Sequence, residues 1–309
     1  MKTLRFGLVQ MLCEKGAIAA NLDAISHTLA AAVALDVDVL GFPEMSITGY
    51  VDPTQYPEAI LRLDGPEIAH LLEITRGLPT TLLAGLVEAN PHGKPLITQI
   101  AVRDGTLLGH YRKMTIEDEE AEWFSPGDTV PVFYHDGITF GIAICADLGN
   151  REVFAKCARQ GARIVFELAA PGLYGEQSTR DWRSGFEWWQ GECQTHLSQH
   201  ARDFGLWIAV ATQAGRTVDE DFPGGGYLFA PDGRRLFATP DWSPGPLYLE
   251  LEFETCHVQD LTGFREQPAT RGGTPMPDQP PTDANRLNLS GLYRFKPQEE
   301  THVPRRRHL

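Results

Sequence analysis

The chain has 309 residues, 42% of them hydrophobic and 22% charged, and a formal net charge of −14. That charge repels nucleic acid and anionic membrane at long range. No apolar run reaches the roughly 18 residues of a membrane span, and the opening MKTLRFGLVQ lacks the apolar segment and small-residue cleavage site of a secretory signal. A soluble, cytoplasmic protein with no nucleic-acid or membrane partner is therefore the expectation. Five widely spaced cysteines (Cys13, Cys145, Cys157, Cys193 and Cys256) form no C-x-x-C pair, which argues for reduced thiols rather than a disulfide framework or a zinc ribbon.

In chain order, residues 4–12 read as a strand and residues 21–35 as an Ala-rich helix with Asn21 as its N-cap. VDVLGFPE is a buried strand halted by Pro43, which leaves Glu44 where strand gives way to loop. A helix over 66–76 precedes strands at 80–87, 95–103 and 106–111, the last two joined by an Arg-Asp-Gly turn, and Lys113 comes directly after them. VFYHDGITFGIAI reads as a second hairpin turning at Asp136-Gly137. A helix at 152–160, a strand at 163–166, a helix at 186–204, a strand at 207–212, a hairpin around PDGRR and a strand ending near 253 complete the series. Strands alternating with helices indicate an α/β fold. The likeness of RDGTLLGHY to PDGRRLFAT hints at two related halves. Past residue 262 the sequence turns rich in Pro, Gly and Asn, so a domain over 1–262 carries an extended or disordered extension over 263–309, ending in the basic VPRRRHL.

The apolar run FGIAICADLG ends on Cys145. Core packing is the ordinary explanation for such a thiol. Its place between a strand end and the expected start of a helix offers another, since backbone N–H groups and a helix dipole there lower a thiol pKa from about 8.5. The Ala146 amide could donate to an oxyanion. A thiol nucleophile also needs a proton acceptor and an oxyanion partner. None of the ten histidines stands in a strand-end motif, so carboxylate and amine partners fit better. Glu44 and Lys113 each lie just past a β-run, where α/β sites gather. Taken singly, an exposed loop glutamate and a solvated strand-end lysine are the ordinary readings.

Three other features read as structural. His196 and His200 in HLSQH stand at i and i+4 beside Glu192 and Cys193 and could bind zinc, but the motif lacks the H-E-x-x-H glutamate and a third ligand, so it reads as an exposed helix. The glycines at 224–226 read as a tight turn rather than a phosphate loop. Of Trp182, Phe186, Trp188 and Trp189, at least two read as helix-packing core, the rest as pocket or interface. No metal or cofactor is expected.

Four segments, FPEMSITGY, HYRKMTI, EAEWFSPGD and GIAICADLGNREVF, resemble in order and separation the nitrilase superfamily of carbon–nitrogen hydrolases. RFGLVQM, GARIVFELAA, WIAVATQAG and FPGGGYLFAPDG extend the likeness over residues 4–253. The resemblance implies a four-layer α-β-β-α sandwich, paired through its helices as a homodimer or higher homo-oligomer. It implies a cysteine-dependent hydrolase that cleaves a non-peptide C–N bond of a small amide or N-carbamoyl compound through a thioester, the alternatives being a nitrilase or a non-catalytic binding protein on the same fold. Carried over by residue, Cys145 is the nucleophile, Glu44 the general base, Lys113 the oxyanion donor and Glu120 the second glutamate that orients substrate and lysine. Ala146, Tyr50, Glu167 and Ala170 are the substrate-binding candidates. The Asp at 147, where nitrile-cleaving members often carry Trp-Glu after the nucleophile, favours the amidase branch. Glu167 stands where the family often has an apolar residue, and either selects a cationic substrate group or forms a structural ion pair. His200 and Phe204 replace a frequent Arg and Asn. Lys113→Ala is expected to slow turnover far more than it disturbs folding.

Overall fold

The computed structural model describes residues 2–117, 120–173 and 181–253, and the backbone of 292–295. The first half of the chain forms β1 (Lys2–Gln10), α1 (Ile18–Val33), β2 (Val39–Gly41), the two-residue β3 (Ile60–Leu61), α2 (Pro66–Ile74), β4 (Thr81–Glu88), β5 (Leu96–Arg103), β6 (Thr106–Arg112) and the single turn α3 (Glu120–Trp123). The second half forms β7 (Val132–His135), β8 (Ile138–Ile144), a 3₁₀ turn over Cys145–Gly149, α4 (Arg151–Arg159), β9 (Ile164–Ala169), α5 (Trp182–Phe204) and β10 (Trp207–Thr212). The short hairpin of β11 (Ala214–Arg216) and β12 (Asp221–Pro223) comes next, then β13 (Gly226–Phe229), β14 (Arg235–Ala238) and β15 (Gly245–Phe253). Within the C-terminal extension, β16 (Leu292–Phe295) pairs parallel with β15. Cys256, the VPRRRHL end and the rest of the extension lie outside the described residues.

Two sheets share one plan. β15, β1, β2, β4, β5 and β6 lie side by side in the first, and β7, β8, β9, β10, β13 and β14 in the second. In each, an antiparallel strand is succeeded by three parallel strands and then an antiparallel hairpin, and in the first sheet β16 lies outside that antiparallel strand. These hairpins hold the two similar sequence segments, and each contains a register slip, at Ala101/Val102 and at Leu228/Phe229. The first turns through Asp104 and Gly105 at φ 48° and 69°, the primed geometry that matches strand twist. Because two reversals restore the direction, β6 runs parallel to β2. The ends of β2 and β6, leading to Glu44 and Lys113, therefore lie at one edge of the first sheet, and the parallel β8 and β9 deliver Cys145 and Ala170 to one edge of the second.

Strand alternation builds the layers. Leu4, Phe6 and Leu8 of β1 join Phe140, Ile142, Phe166 and Leu168 between the sheets, with the Phe166 ring edge-on to Phe6 at 5.7 Å and to Phe140 at 5.6 Å. Outside the first sheet, α1 and α2 lay Leu22, Ile25, Leu29, Ile68 and Leu71 over Leu40, Leu82 and Ala84. Outside the second, α4 packs on β8, and α5 on β10 and β13. The result is the four-layer α-β-β-α sandwich, with each fully buried Leu, Ile or Phe contributing roughly 1.5–3 kcal/mol. Among the described residues, no helix is long and apolar enough to cross a membrane.

Several boundaries differ from the sequence reading for identifiable reasons. Asn21 does not cap α1, which starts at Ile18. Its buried amide instead accepts from Glu14 N–H at 3.1 Å and donates to the carbonyls of Glu14 at 2.9 Å and Ile47 at 3.1 Å, tying the helix to the turn after Glu44. α5 starts four residues earlier than the expected 186 because Asp181 caps it, accepting from Ser184 N–H at 2.8 Å. β9 continues past residue 166 through a buried glutamate, Glu167.

Candidate active site

Glu44 is held by a turn that mimics a strand. Past Pro43 the chain bends, with Met45 at φ 49°, yet stays beside β4: Ile47 N–H donates to Gly85 O at 2.8 Å. The hydroxyls of Ser46 and Thr48 accept from the N–H groups of Gly85 at 2.9 Å and Val87 at 3.3 Å, in place of strand carbonyls. Position 85 must be glycine for this approach, because a Cβ there would stand 2.7 Å from Gln99 Oε1 and 3.0 Å from the Glu44 carbonyl carbon, and closer still to Met45 N. Lys113 lies just beyond β6, its N–H donating to Ile97 O at 2.9 Å and its carbonyl accepting from Gly127 at 2.7 Å. Cys145 sits at φ 47°, a left-handed conformation that costs a residue with a side chain about 1–3 kcal/mol and gathers at functional sites.

These segments converge. The Lys113 ammonium donates to Glu44 Oε1 at 2.8 Å and to both oxygens of Glu120 at 2.8 Å. Tyr50 OH donates to Glu120 Oε1 at 2.8 Å, and the Ala170 N–H to Glu44 Oε2 at 3.1 Å. The Glu44 carboxylate and the Ala170 N–H both act on the ionisation of the Cys145 thiol. Lys113 and Glu44 are only 1% and 0% exposed, so neither is the solvated residue that its type alone would suggest.

Burial sets the proton positions. It pushes the Glu44 carboxyl up to about 7, Lys113 opposing and Glu120 reinforcing the shift. Burial alone would lower Lys113, but Glu44 and Glu120 outweigh it and hold the ammonium well above its ordinary range. Burial, then Glu44, pushes the Cys145 thiol well above its ordinary value, with Lys113 opposing. The expected depression of that thiol by a helix behind it is therefore overturned: Cys145 opens a 3₁₀ turn, α4 begins only at Arg151, and the desolvated sulfur faces a carboxylate.

The substrate-binding candidates separate. Tyr50 and Ala170 reach the site as supports, one holding Glu120 and the other Glu44. Ala146, next to Cys145, is half-buried. Glu167 lies in β9 between Ala143 and Val210, on the face opposite the inward Phe166 and Leu168, and therefore toward the helix layer. It is fully buried, and neither oxygen has a hydrogen-bond partner; it forms no structural ion pair among the described residues. Burial, then Asp147 and Glu44, pushes its carboxyl well above the ordinary range, opposed by Lys113 and by a Cys145 N–H that lies outside hydrogen-bonding geometry. The folded protein thus keeps a proton that the unfolded chain loses above about pH 4.3, and stability falls as pH rises, by up to about 1.4 kcal/mol per pH unit and group. Glu44 acts in the same direction. The melting temperature is expected to decline from about pH 5 to about pH 8, and Glu167→Gln to flatten the decline; equal slopes in a pH-resolved thermal scan would contradict this.

His200 is not exposed. It is buried, stacks on Phe154 at 4.5 Å and donates from Nε2 to Leu148 O at 2.9 Å, anchoring α5 to the turn after Cys145. His196, half-exposed, faces Glu192 at 3.6 Å instead. Among the described residues no group of three or more His, Cys, Asp or Glu is placed to hold a metal ion. Trp189 is core, its indole donating to Thr212 Oγ1 at 2.8 Å, and Phe186 is buried too. Gly224 and Gly225, at φ 64° and 114°, make the tight turn before β13.

The four-layer sandwich is the fold shared with an amidase of the nitrilase superfamily from Nesterenkonia. The family model for carbon-nitrogen hydrolases matches residues 5–258, and the chain belongs to that family. Among solved structures, an amidase from Nesterenkonia sp. superposes with a TM-score of 0.68 at 23% identity, covering 79% of this chain and 89% of that one. A glutamine-dependent NAD+ synthetase from Acinetobacter baumannii gives 0.69 at 20% identity, covering 84% and 49%. Curated relatives include a glutamine-dependent NAD(+) synthetase of Acinetobacter baylyi, 24% identical over 261 residues that make up 82% of this chain and 45% of the relative. An (R)-stereoselective amidase of Pseudomonas sp. is 28% identical over 162 residues, 52% of this chain and 58% of the relative. A formamidase of Pseudomonas syringae is 34% identical over 136 residues, 43% and 40%. The chain spans less than two thirds of each of these three curated relatives.

Proposed function

We propose that the protein is a cysteine-dependent amidase that hydrolyses the C–N bond of a small amide or N-carbamoyl compound through a thioester on Cys145. The observation that carries this reading is the Lys113 ammonium bridging Glu44 and Glu120 beside the Cys145 sulfur. A buried neutral thiol is a poor nucleophile until a base takes its proton. Glu44 acts on its ionisation and has a carboxyl near 7 that is partly ionised at neutral pH and so can both accept and return a proton. In the first stage Glu44 takes the thiol proton as sulfur attacks the carbonyl carbon, and Lys113 with the Ala146 amide stabilises the tetrahedral oxyanion. Glu44 then protonates the departing nitrogen, which leaves as ammonia or amine. In the second stage water gives a proton to Glu44 and its oxygen to the thioester, releasing carboxylic acid and restoring the thiol. Glu120, held by Tyr50, keeps Lys113 pointed at the reacting carbonyl.

Amidases and a formamidase among the relatives favour amides over nitriles, and glutamine belongs in the test panel because some relatives are glutamine-dependent. Ammonia release is to be measured with formamide, longer aliphatic amides, glutamine, N-carbamoyl amino acids and nitriles. At least one amide or N-carbamoyl compound is expected to turn over, with Cys145→Ser at background. Release from nitriles alone, or an undiminished Cys145→Ser rate, would contradict the reading.

A further inference from the structure

Cys145 and Lys113 come from different sheets, and the left-handed Cys145 is not a conformation that its own side chain favours. Something must hold the two segments in register. Asp147, the second residue after Cys145, is fully buried. Its Oδ2 accepts from Tyr111 OH at 2.6 Å and from Ile144 N–H at 3.1 Å, and its Oδ1 accepts from Thr115 N–H at 2.9 Å. Tyr111 and Thr115 stand two residues either side of Lys113, and Ile144 immediately precedes Cys145. A second tie, Asn150 Nδ2 donating to Thr115 Oγ1 at 3.0 Å, joins the same two segments. One carboxylate therefore grips the lysine segment on both flanks and the cysteine turn at its origin.

We infer that Asp147 is a positioning residue that sets the separation of the Cys145 sulfur from the Lys113 ammonium. The inference rests on the reading of those two groups as the reacting pair. A carboxylate can accept at both oxygens, whereas an asparagine must turn its NH₂ toward one of the backbone donors. Asp147→Asn thus keeps the shape and breaks one side of the grip. Misplacement of reacting groups by about 1 Å costs on the order of 10²-fold in rate.

The test compares wild type, Asp147→Asn and Tyr111→Phe in kcat, KM, thermal midpoint and rate of Cys145 alkylation by iodoacetamide, itself a small amide. For Asp147→Asn, kcat is expected to fall by about 10²-fold with KM nearly unchanged, and alkylation to slow by about tenfold or more. Tyr111→Phe, which removes one donor, is expected to give a smaller fall in both, and it carries the test if Asp147→Asn does not fold. Wild-type kcat and alkylation in the folded variants would overturn the inference. So would a lowered kcat with unchanged alkylation, since the sulfur would then be correctly placed. If wild type hydrolyses no amide or N-carbamoyl compound, the proposed activity fails, and the alkylation rates alone decide whether Asp147 positions the cysteine.

Discussion

Replacing Lys113 with methionine is expected to lower kcat for amide hydrolysis by about 10²- to 10³-fold, the usual effect of removing one oxyanion donor. Methionine keeps much of the aliphatic stem and removes only the charged head, so packing around the stem is spared. The surroundings of Lys113 add a second effect that a strand-end lysine in water would not have. The ammonium lies between two buried carboxylates at 2.8 Å, and breaking a buried ion pair from one side costs about 3–5 kcal/mol. Without the cation that opposes it, the upward push of burial on the Glu44 carboxyl goes further, so above about pH 7 the variant still holds a proton that wild type and the unfolded chain have released. Its stability is therefore expected to fall more steeply than that of wild type as pH rises. Rates measured at about pH 6, where folding is retained, with a thermal scan at the same pH, separate the two effects. A rate that merely tracks the unfolded fraction would remove Lys113 from the chemistry.

Glu44→Gln is expected to slow the reaction by about 10²- to 10⁴-fold, the range for a positioned general base. The pH profile is the sharper signature. In wild type kcat/KM is expected to rise with pH through about 7, because Glu44 must be ionised to take the thiol proton. The glutamine variant is expected to lose that limb along with the rate. It also disturbs the support, since Glu44 accepts from Lys113 on one oxygen and from Ala170 N–H on the other, and an amide cannot accept on both. A limb that persists in the variant with the same midpoint would assign the ionisation to another group.

The legibility of the site depends on how each residue is placed. Glu44, Lys113 and Cys145 each lie at the end of a β-run or just past it, which makes them candidates together, but singly each has an ordinary structural reading and their roles come from the family resemblance. Asp147 is legible only as a mark of the amidase branch. Its donors Tyr111 and Thr115 lie more than thirty positions earlier, and no local pattern links them. The ionisation of Cys145 escapes the sequence for a related reason: the strand-to-helix junction is local and visible, whereas the burial and the facing carboxylate that outweigh it come from distant segments. Local polarity also misleads at Asn21, His200 and Glu167, polar residues in polar or interrupted runs that prove to be buried. The duplicated sheet plan is foreshadowed by the likeness of RDGTLLGHY to PDGRRLFAT, while β3, β11 and β12 are too short to carry a pattern.

The thioester on Cys145 is tested most directly by running amide hydrolysis in the presence of hydroxylamine and measuring hydroxamate, carboxylate and ammonia together. An acyl-enzyme partitions between water and hydroxylamine, so hydroxamate is expected to form at the expense of carboxylate while ammonia release is not slowed, and all three are expected to disappear in Cys145→Ala. Carboxylate as the only product at high hydroxylamine, or hydrolysis by Cys145→Ala at the wild-type rate, would contradict it.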